Sequence, residues 1–382
     1  MKKLLCVICA LALGFCFCAP TNAEPADNTV SVPSLSAKSA ILINADDGSV
    51  YFESNADERM GPASTTKLMT ALVALEHAQQ NMPVKVPSDA VGIEGSSVYL
   101  IEGETLTLYE LICALLLSSA NDAAAAIAIT VGGSIEGFCA LMNEKAAEMG
   151  LRDTHFTNPH GLHDEEHYTT ARELAKIAAH ALSVPTIREI VSKYKMTIPH
   201  DGCADARLLV NHNKLLRSYD GCIGMKTGFT KKTGRTLVSA AEREGLTLIA
   251  VTLNAPDDWR DHAALLDYGF ERYTRVIFAN AGEYTYELPV VGGTEECIAL
   301  TNSEPLSLVL PKDHASEEYL ITSTSRFLYA PTELGYSPAS VTVVCDGKSV
   351  TSPLAVSSRV LSSTPKKKGF FHRITSFFTL EQ

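Results

Sequence analysis

Apolar positions at 68, 72, 73 and 75 recur at helical spacing and predict a helix over residues 67–78. Residues 109–130 are almost wholly Leu, Ala and Ile, the pattern of a helix buried on every side. Two strand-like runs, 236–240 and Leu246–Leu253, flank Arg243, Glu244 and Gly245 and predict an antiparallel hairpin. Helical and strand periods alternate from about Val32 to Thr274, so the main body is expected to be mixed α/β (α+β), with an antiparallel sheet and helices. After about Phe278 the texture becomes short apolar stretches (284–291, 297–300, 306–310, 319–322, 341–344) broken by Gly, Pro, Asn and Asp, which predicts a small all-β sandwich.

The two ends of the chain follow other rules. Lys2 and Lys3 precede an apolar run over 4–18 and small residues before Glu24, the pattern of a secretory signal peptide over 1–23. Export to the extracytoplasmic face of the membrane, or secretion, is the expectation. From Pro353 a Ser-rich stretch leads to Lys366, Lys367 and Lys368. Phe370, Phe371, Ile374, Phe377 and Phe378 then fall on one helical stripe, too short to span a bilayer. Three lysines ahead of an aromatic face fit a helix lying in an anionic membrane surface, each basic residue adding about 1 kcal/mol. A tail helix docked on its own domain is the alternative. The expected organisation is 1–23 signal peptide, 24–276 catalytic domain, 277–352 β-rich domain, and 353–382 linker and membrane-anchor helix.

At 382 residues, with 46% apolar and 20% charged residues, the chain has enough core for two globular domains. Its net charge of −12 becomes more negative by two once the leader is removed, which argues against a nucleic-acid partner. Four of the ten cysteines lie in the leader; Cys113, Cys139, Cys203, Cys222, Cys297 and Cys345 show no metal-binding spacing. Cys203 and Cys222 could pair, and buried free thiols are the plainer expectation.

Three polar elements interrupt these patterns. Pro62-Ala63-Ser64-Thr65-Thr66-Lys67 enters the first helix, where a spacing of three brings the Lys67 amine within reach of the Ser64 hydroxyl. A serine needs a neighbouring base, and a buried lysine crowded by another cation can be neutral enough to serve. Ser118-Ser119-Ala120-Asn121-Asp122 sits inside the Leu/Ala run, where unsatisfied polar groups would each cost about 1–3 kcal/mol. A helix break aiming Ser119 and Asn121 into a cleft resolves that cost. Gly224-Met225-Lys226-Thr227-Gly228-Phe229-Thr230 precedes the hairpin and reads as an edge strand, with Gly228 leaving room for a peptide substrate and Thr227 offering a hydroxyl to its carboxylate. Lys232-Thr233-Gly234 repeats the tripeptide; the first copy is preferred because Gly224 and Thr230 accompany it.

Taken together, S-x-x-K, S-x-N and K-T-G occur in order. In these motifs, and in Phe156-Thr-Asn-Pro-His-Gly-Leu and Asn211-His-Asn-Lys-Leu-Leu, the chain resembles the serine penicillin-recognising enzymes, most closely the low-molecular-weight D-alanyl-D-alanine carboxypeptidases. The resemblance implies a β-lactamase/transpeptidase-like catalytic domain, peptidoglycan stem peptides as substrate, β-lactams as covalent inhibitors, and no cofactor. It makes Ser64 the acylated nucleophile and Lys67 its base, with Ser119, Asn121 and Lys226 completing the proton network. Lys226, Thr227, Gly228, Phe229 and Thr230 then bind substrate, with the Ser64 and Phe229 N–H groups as oxyanion hole. Arg260 is a candidate for the substrate carboxylate.

Two other readings compete. A β-lactamase would use Asp164-Glu165-Glu166 to activate water, but no asparagine follows at the needed distance. A non-catalytic cell-wall binding or penicillin-sensing protein would not need a base beside the hydroxyl. His160, His163 and His167 have spacings that could hold zinc, but Pro159, Gly161 and the acidic run suggest a surface loop, and no metal is expected. His212 reads as a structural polar residue.

Overall fold

The computed structural model describes residues 31–200 and 206–363. The expected leader, the tail helix and Cys203 lie outside the described residues.

A five-stranded antiparallel sheet organises the larger lobe. Its strands are β1 (Ser39–Asn44), β2 (Val50–Ser54), β3 (Cys222–Thr230), β4 (Gly234–Arg243) and β5 (Leu246–Leu253), in the spatial order β2-β1-β5-β4-β3. All eight residues of central β5 are buried, because helices pack against both of its faces, so the run is uniformly apolar rather than alternating. The hairpin between β4 and β5 turns on Glu244 and Gly245, both at positive φ, the two-residue connection whose twist suits a hairpin. As expected from its sequence, the K-T-G segment is an edge strand, paired only with β4.

The first predicted helix is α1 (Lys67–His77), buried along most of its length. The long Leu/Ala run is two helices, α2 (Leu108–Leu117) and α3 (Asn121–Gly132). Thr107 and Glu110 close a reciprocal capping box at the start of α2. Ser118 to Ala120 break the run, with Ser119 at φ +59, so the polar residues stand at a corner rather than inside a helix. Helices α4 (Ile135–Glu148), α5 (Ala171–Ser183) and α6 (Asp258–Arg272) belong to the same lobe, as do the shorter helices Pro185–Val191 and Leu215–Ser218, with α5 and α6 covering the sheet.

The β-rich lobe has a core of its own, containing Leu288, Ile298, Leu300, Val341, Val343 and Leu354. A six-stranded sheet faces a two-stranded one made of Tyr273–Ala279 and Leu306–Pro311. Two boundaries differ from expectation. The strand Tyr273–Ala279 straddles residue 276, where the first domain was expected to end. Residues 353–356 of the expected linker are instead the end of the strand Lys348–Val356, which zips to Ala339–Cys345. Leu354, Val356 and Val360 are buried, while Ser357, Ser358, Ser362 and Ser363 are exposed beyond the strand.

Candidate active site

Ser64 lies on a single 3₁₀ turn, Ala63–Thr66, that leads into α1. Residues three apart eclipse on such a turn, which places Lys67 Nζ 3.0 Å from Ser64 Oγ. The turn is tightly held. Ala63 takes φ +49, unusual for a residue with a Cβ, and its carbonyl accepts from Thr66 Oγ1 at 2.8 Å. Thr236 Oγ1, reaching from β4, donates to Pro62 O at 3.0 Å. Gly161 at φ +85 passes so close that a Cβ there would fall 1.8 Å from Ala63 O, so only glycine fits.

Behind this turn, the buried His167 accepts from Thr157 N at Nδ1 (3.1 Å), which leaves the ring proton on Nε2. Nε2–H then donates to Thr66 Oγ1 at 2.8 Å, completing a chain to the Ala63 carbonyl. Burial lowers His167 to about 4, so the neutral tautomer is the resident form.

Lys67 is fully buried at the centre of the site. Besides Ser64 Oγ, its Nζ contacts Asn121 Oδ1 at 2.7 Å and the His160 carbonyl at 2.6 Å. Those two oxygens only accept, since Asn121 Nδ2 is committed to Glu94 O. A neutral amine has two N–H groups and one lone pair. With both N–H groups taken, the lone pair is directed at Ser64, as a base toward that hydroxyl requires. Electrostatics agree with the geometry: burial, then the Lys226 cation, hold Lys67 well below an ordinary lysine, against a smaller opposing effect of Asp122.

The carbonyl partner is set by the loop through Asn158. Asn158 Oδ1 accepts from Gly161 N (2.7 Å), and its Nδ2 donates to Leu162 O (3.0 Å), which turns His160 O toward Lys67. Asp122 does similar work on the other wall, accepting from Ser97 Oγ (2.6 Å) and Leu100 N (3.0 Å) and so fixing the loop that covers Asn121. Asn213 Nδ2 donates to Gly224 O at 2.8 Å and ties β3 to the segment before it.

Ser64, Ser119, Thr227, Gly228 and Phe229 line one open cleft of about 570 Å³. Asn121, Lys67 and Lys226 are buried and do not line it; Lys67 and Asn121 connect to it through Ser64. Lys226 Nζ donates to Thr227 O at 2.7 Å, and burial lowers this lysine to about 7. Gly228 faces Thr236 across the ladder, and a Cβ there would meet Thr236 Oγ1 at 2.3 Å and Ser64 N at 2.9 Å. Its missing side chain is what lets β3 lie against the nucleophile turn. Thr230 does not join the others: its hydroxyl lies 2.9 Å from Thr233 Oγ1 and accepts from Thr233 N, closing the turn after the strand. Lys232-Thr233-Gly234 is that turn.

Arg260 does not line the cleft. Its side chain is 65% exposed and pairs with Asp257. Two arginines do, Arg217 and Arg235, and it is Arg235 that stands opposite Phe229 in the ladder. Its Nε lies 3.0 Å from Asp258 Oδ2, without the alignment of a hydrogen bond, and its guanidinium stands 5.8 Å from the Trp259 ring. Asp258 is almost wholly buried and, among the described residues, is the one carboxylate lining this cleft. Asp164, Glu165 and Glu166 line a different crevice, where Glu165 pairs with Lys232 and His163. The three loop histidines diverge: His163 meets Glu165, His167 meets Thr66, and His160 contributes its carbonyl. His212, read as structural, lines the cleft.

Residues 26–257 match the family model described as D-alanyl-D-alanine carboxypeptidase, Peptidase S11. The chain is similar to the D-alanyl-D-alanine carboxypeptidase DacF of Bacillus subtilis, 30% identical over 97% of this chain and 96% of that one. It is likewise similar to DacC of Escherichia coli, 31% identical over 97% and 95%. Among solved structures, penicillin-binding protein 5 of Haemophilus influenzae superposes with a TM-score of 0.67 at 28% identity, covering 87% of this chain and all of that one. A peptidoglycan synthesis regulatory factor (PBP3) of Streptococcus pneumoniae gives 0.73 at 26% identity, covering 86% and 100%. With the three motifs on one cleft and the family model spanning more than half its length, the chain belongs to the D-alanyl-D-alanine carboxypeptidase family of serine peptidases.

Proposed function

We propose that this enzyme removes the terminal D-alanine from peptidoglycan stem peptides through an acyl-enzyme on Ser64, and that penicillins form a stable ester at the same oxygen. The observation that carries this is the buried Lys67 amine, with two acceptors on its N–H groups and Ser64 Oγ at 3.0 Å. Ser64 Oγ attacks the penultimate residue's carbonyl while its proton passes to Lys67 Nζ. The oxygen that becomes negative is received by the N–H groups of Ser64 and Phe229. The C–N bond then breaks, and the departing amine takes, through Ser119, the proton that Lys67 accepted, which returns Lys67 to its neutral form while Lys226 stays cationic. Water attacks the ester with Lys67 again as base, since Asp258, the one carboxylate among the described residues of the cleft, faces Arg235. Arg235 receives the substrate's terminal carboxylate beside Thr227, a role for which Arg260 is misplaced.

The reading includes a place of action. The basic-apolar start of the chain supports export, and the Lys366–Phe378 pattern supports anchoring at the outer membrane surface of the exporting cell.

Intact-mass analysis after incubation with benzylpenicillin, alongside D-alanine release from a peptide ending in D-Ala-D-Ala, tests the assignment. One persistent adduct mapped to Ser64, with free D-alanine from the peptide and neither product from Ser64→Ala, is expected. Rapid penicillin turnover without D-alanine would make the protein a β-lactamase, and the absence of any adduct would leave a binding protein.

A further inference from the structure

Six large apolar side chains stand exposed at one end of the β-rich lobe: Val291, Phe327, Tyr329, Leu334, Tyr336 and Leu361, with Tyr329 at 69%. They are neighbours. The Phe327 and Tyr329 rings meet edge to face at 5.3 Å, and Val291 is the ladder partner of Tyr329. Phe327, Tyr329 and Tyr336 line an open cleft of about 610 Å³, and Thr294 N donates to the Leu361 carbonyl at 2.8 Å on its flank. A clustered aromatic face of this kind on a soluble lobe marks a contact surface.

The course of the chain says which surface. Ser363 N donates to Gly292 O at 2.8 Å, so the last described residue lies one residue from Val291 at the edge of the patch. The next 19 residues carry Lys366, Lys367, Lys368 and the Phe370–Phe378 stripe. The stripe starts seven residues beyond Ser363, so whatever takes it lies within a chain reach of about 25 Å of the exposed aromatics. Tyr329 and Tyr336 have apolar bodies and polar tips, the form suited to a headgroup boundary, and Arg326 lines the same cleft opposite a single acid, Glu333. The cleft itself is thus neutral, and the positive charge that a chain of net charge −12 can bring to an anionic bilayer at this end is that of Lys366, Lys367 and Lys368.

We propose that this end of the β-rich lobe is a lipid-contacting face, with Phe327, Tyr329 and Tyr336 resting on the anionic membrane surface that receives the tail. The proposal rests on the membrane reading of the tail and adds a second point of contact, which fixes how the lobe stands on the bilayer rather than merely tethering it.

The test uses the full mature chain carrying Tyr329→Trp and vesicles of phosphatidylglycerol and phosphatidylcholine with brominated acyl chains, with the unsubstituted chain as the emission blank. Emission from position 329 should fall at least about twofold on vesicle binding, as an indole at the acyl boundary does. A triple variant, Phe327→Ser with Tyr329→Ser and Leu334→Ser, should bind vesicles about tenfold more weakly while acylating with penicillin at the parent rate. Vesicle binding with no quenching at 329 would overturn the proposal and leave the tail anchor standing. No vesicle binding at all would overturn both. Emission shielded without vesicles, and freed by truncation after Ser363, would show the tail occupying its own lobe. A shift with peptidoglycan sacculi but not vesicles would make the cleft a glycan subsite. Either of the last two results also overturns it.

Discussion

The Cβ that Gly228 lacks would lie 2.9 Å from the backbone nitrogen of Ser64. In the proposed mechanism the edge strand and the nucleophile turn are two halves of one oxyanion site, and a side chain at 228 would force them apart. Gly228→Ala should push β3 outward, and acylation by penicillin should slow by about 10² to 10³, the usual loss when one oxyanion donor is removed. Stopped-flow acylation rates check this; circular dichroism should be unchanged.

The charge states of two lysines set opposite limits on rate. Lys67 must be neutral to take the Ser64 proton, so acylation rises with pH as Lys67, held well below the ordinary lysine range, deprotonates. Lys226 is to be cationic, and its value of about 7 means that the rate declines above neutrality. A bell-shaped profile is expected, and Lys226→Arg should remove its alkaline limb. Lys67→Gln should cut acylation by about 10² to 10⁴ at every pH.

Arg235→Gln should raise KM for a peptide with a free C-terminal carboxylate by roughly ten- to a hundredfold and change kcat little. The same peptide as its C-terminal amide should bind both proteins equally poorly. Arg260→Gln, in contrast, should leave KM as it is. Steady-state kinetics on the paired substrates distinguish the two arginines.

Acid should weaken the fold through His167. A folded value of about 4 lies below the unfolded value near 6.5, so within that window the unfolded chain binds more protons. The His167 contribution is fully present above about 6.5 and is lost as pH falls toward 4, a change on the order of 3 kcal/mol. Denaturant titrations at several pH values should show His167→Gln with a shallower acid slope and lower stability at neutral pH, since Thr66 loses its well-shaped donor.

Much of this was legible in the sequence. Ser64 and Lys67 could be paired because helical spacing is local, and Gly228 could be assigned to a close approach because glycine in a strand needs a reason. Helix α2 was visible, and so was its break, because Ser118 to Asp122 are polar amid leucines. What stayed hidden depends on tertiary neighbours. Thr230 looks like a binding hydroxyl until the turn brings Thr233 back onto it. Arg235 carries no local mark; only the ladder sets it opposite Phe229 and over Trp259. His160 acts through its carbonyl, which every residue has, so nothing in its side chain could single it out. The 353–363 stretch resembled a linker because its serines lie beyond the strand and are exposed, while Leu354, Val356 and Val360, which bury it, are spread thinly among them.

The contacts of Lys67 Nζ reach 54 residues along the chain to Asn121 and 93 to His160, while those to Ser64 span three. A fragment or a half-folded chain can therefore hold the serine and the lysine side by side and still lack both groups that orient the amine. Reactivity at Ser64 is thus a property of the completed tertiary structure. Titrating a preparation with a labelled penicillin would count native molecules rather than polypeptides, and a pulse of label during refolding would time the closure of the longest loops rather than the formation of the first helix.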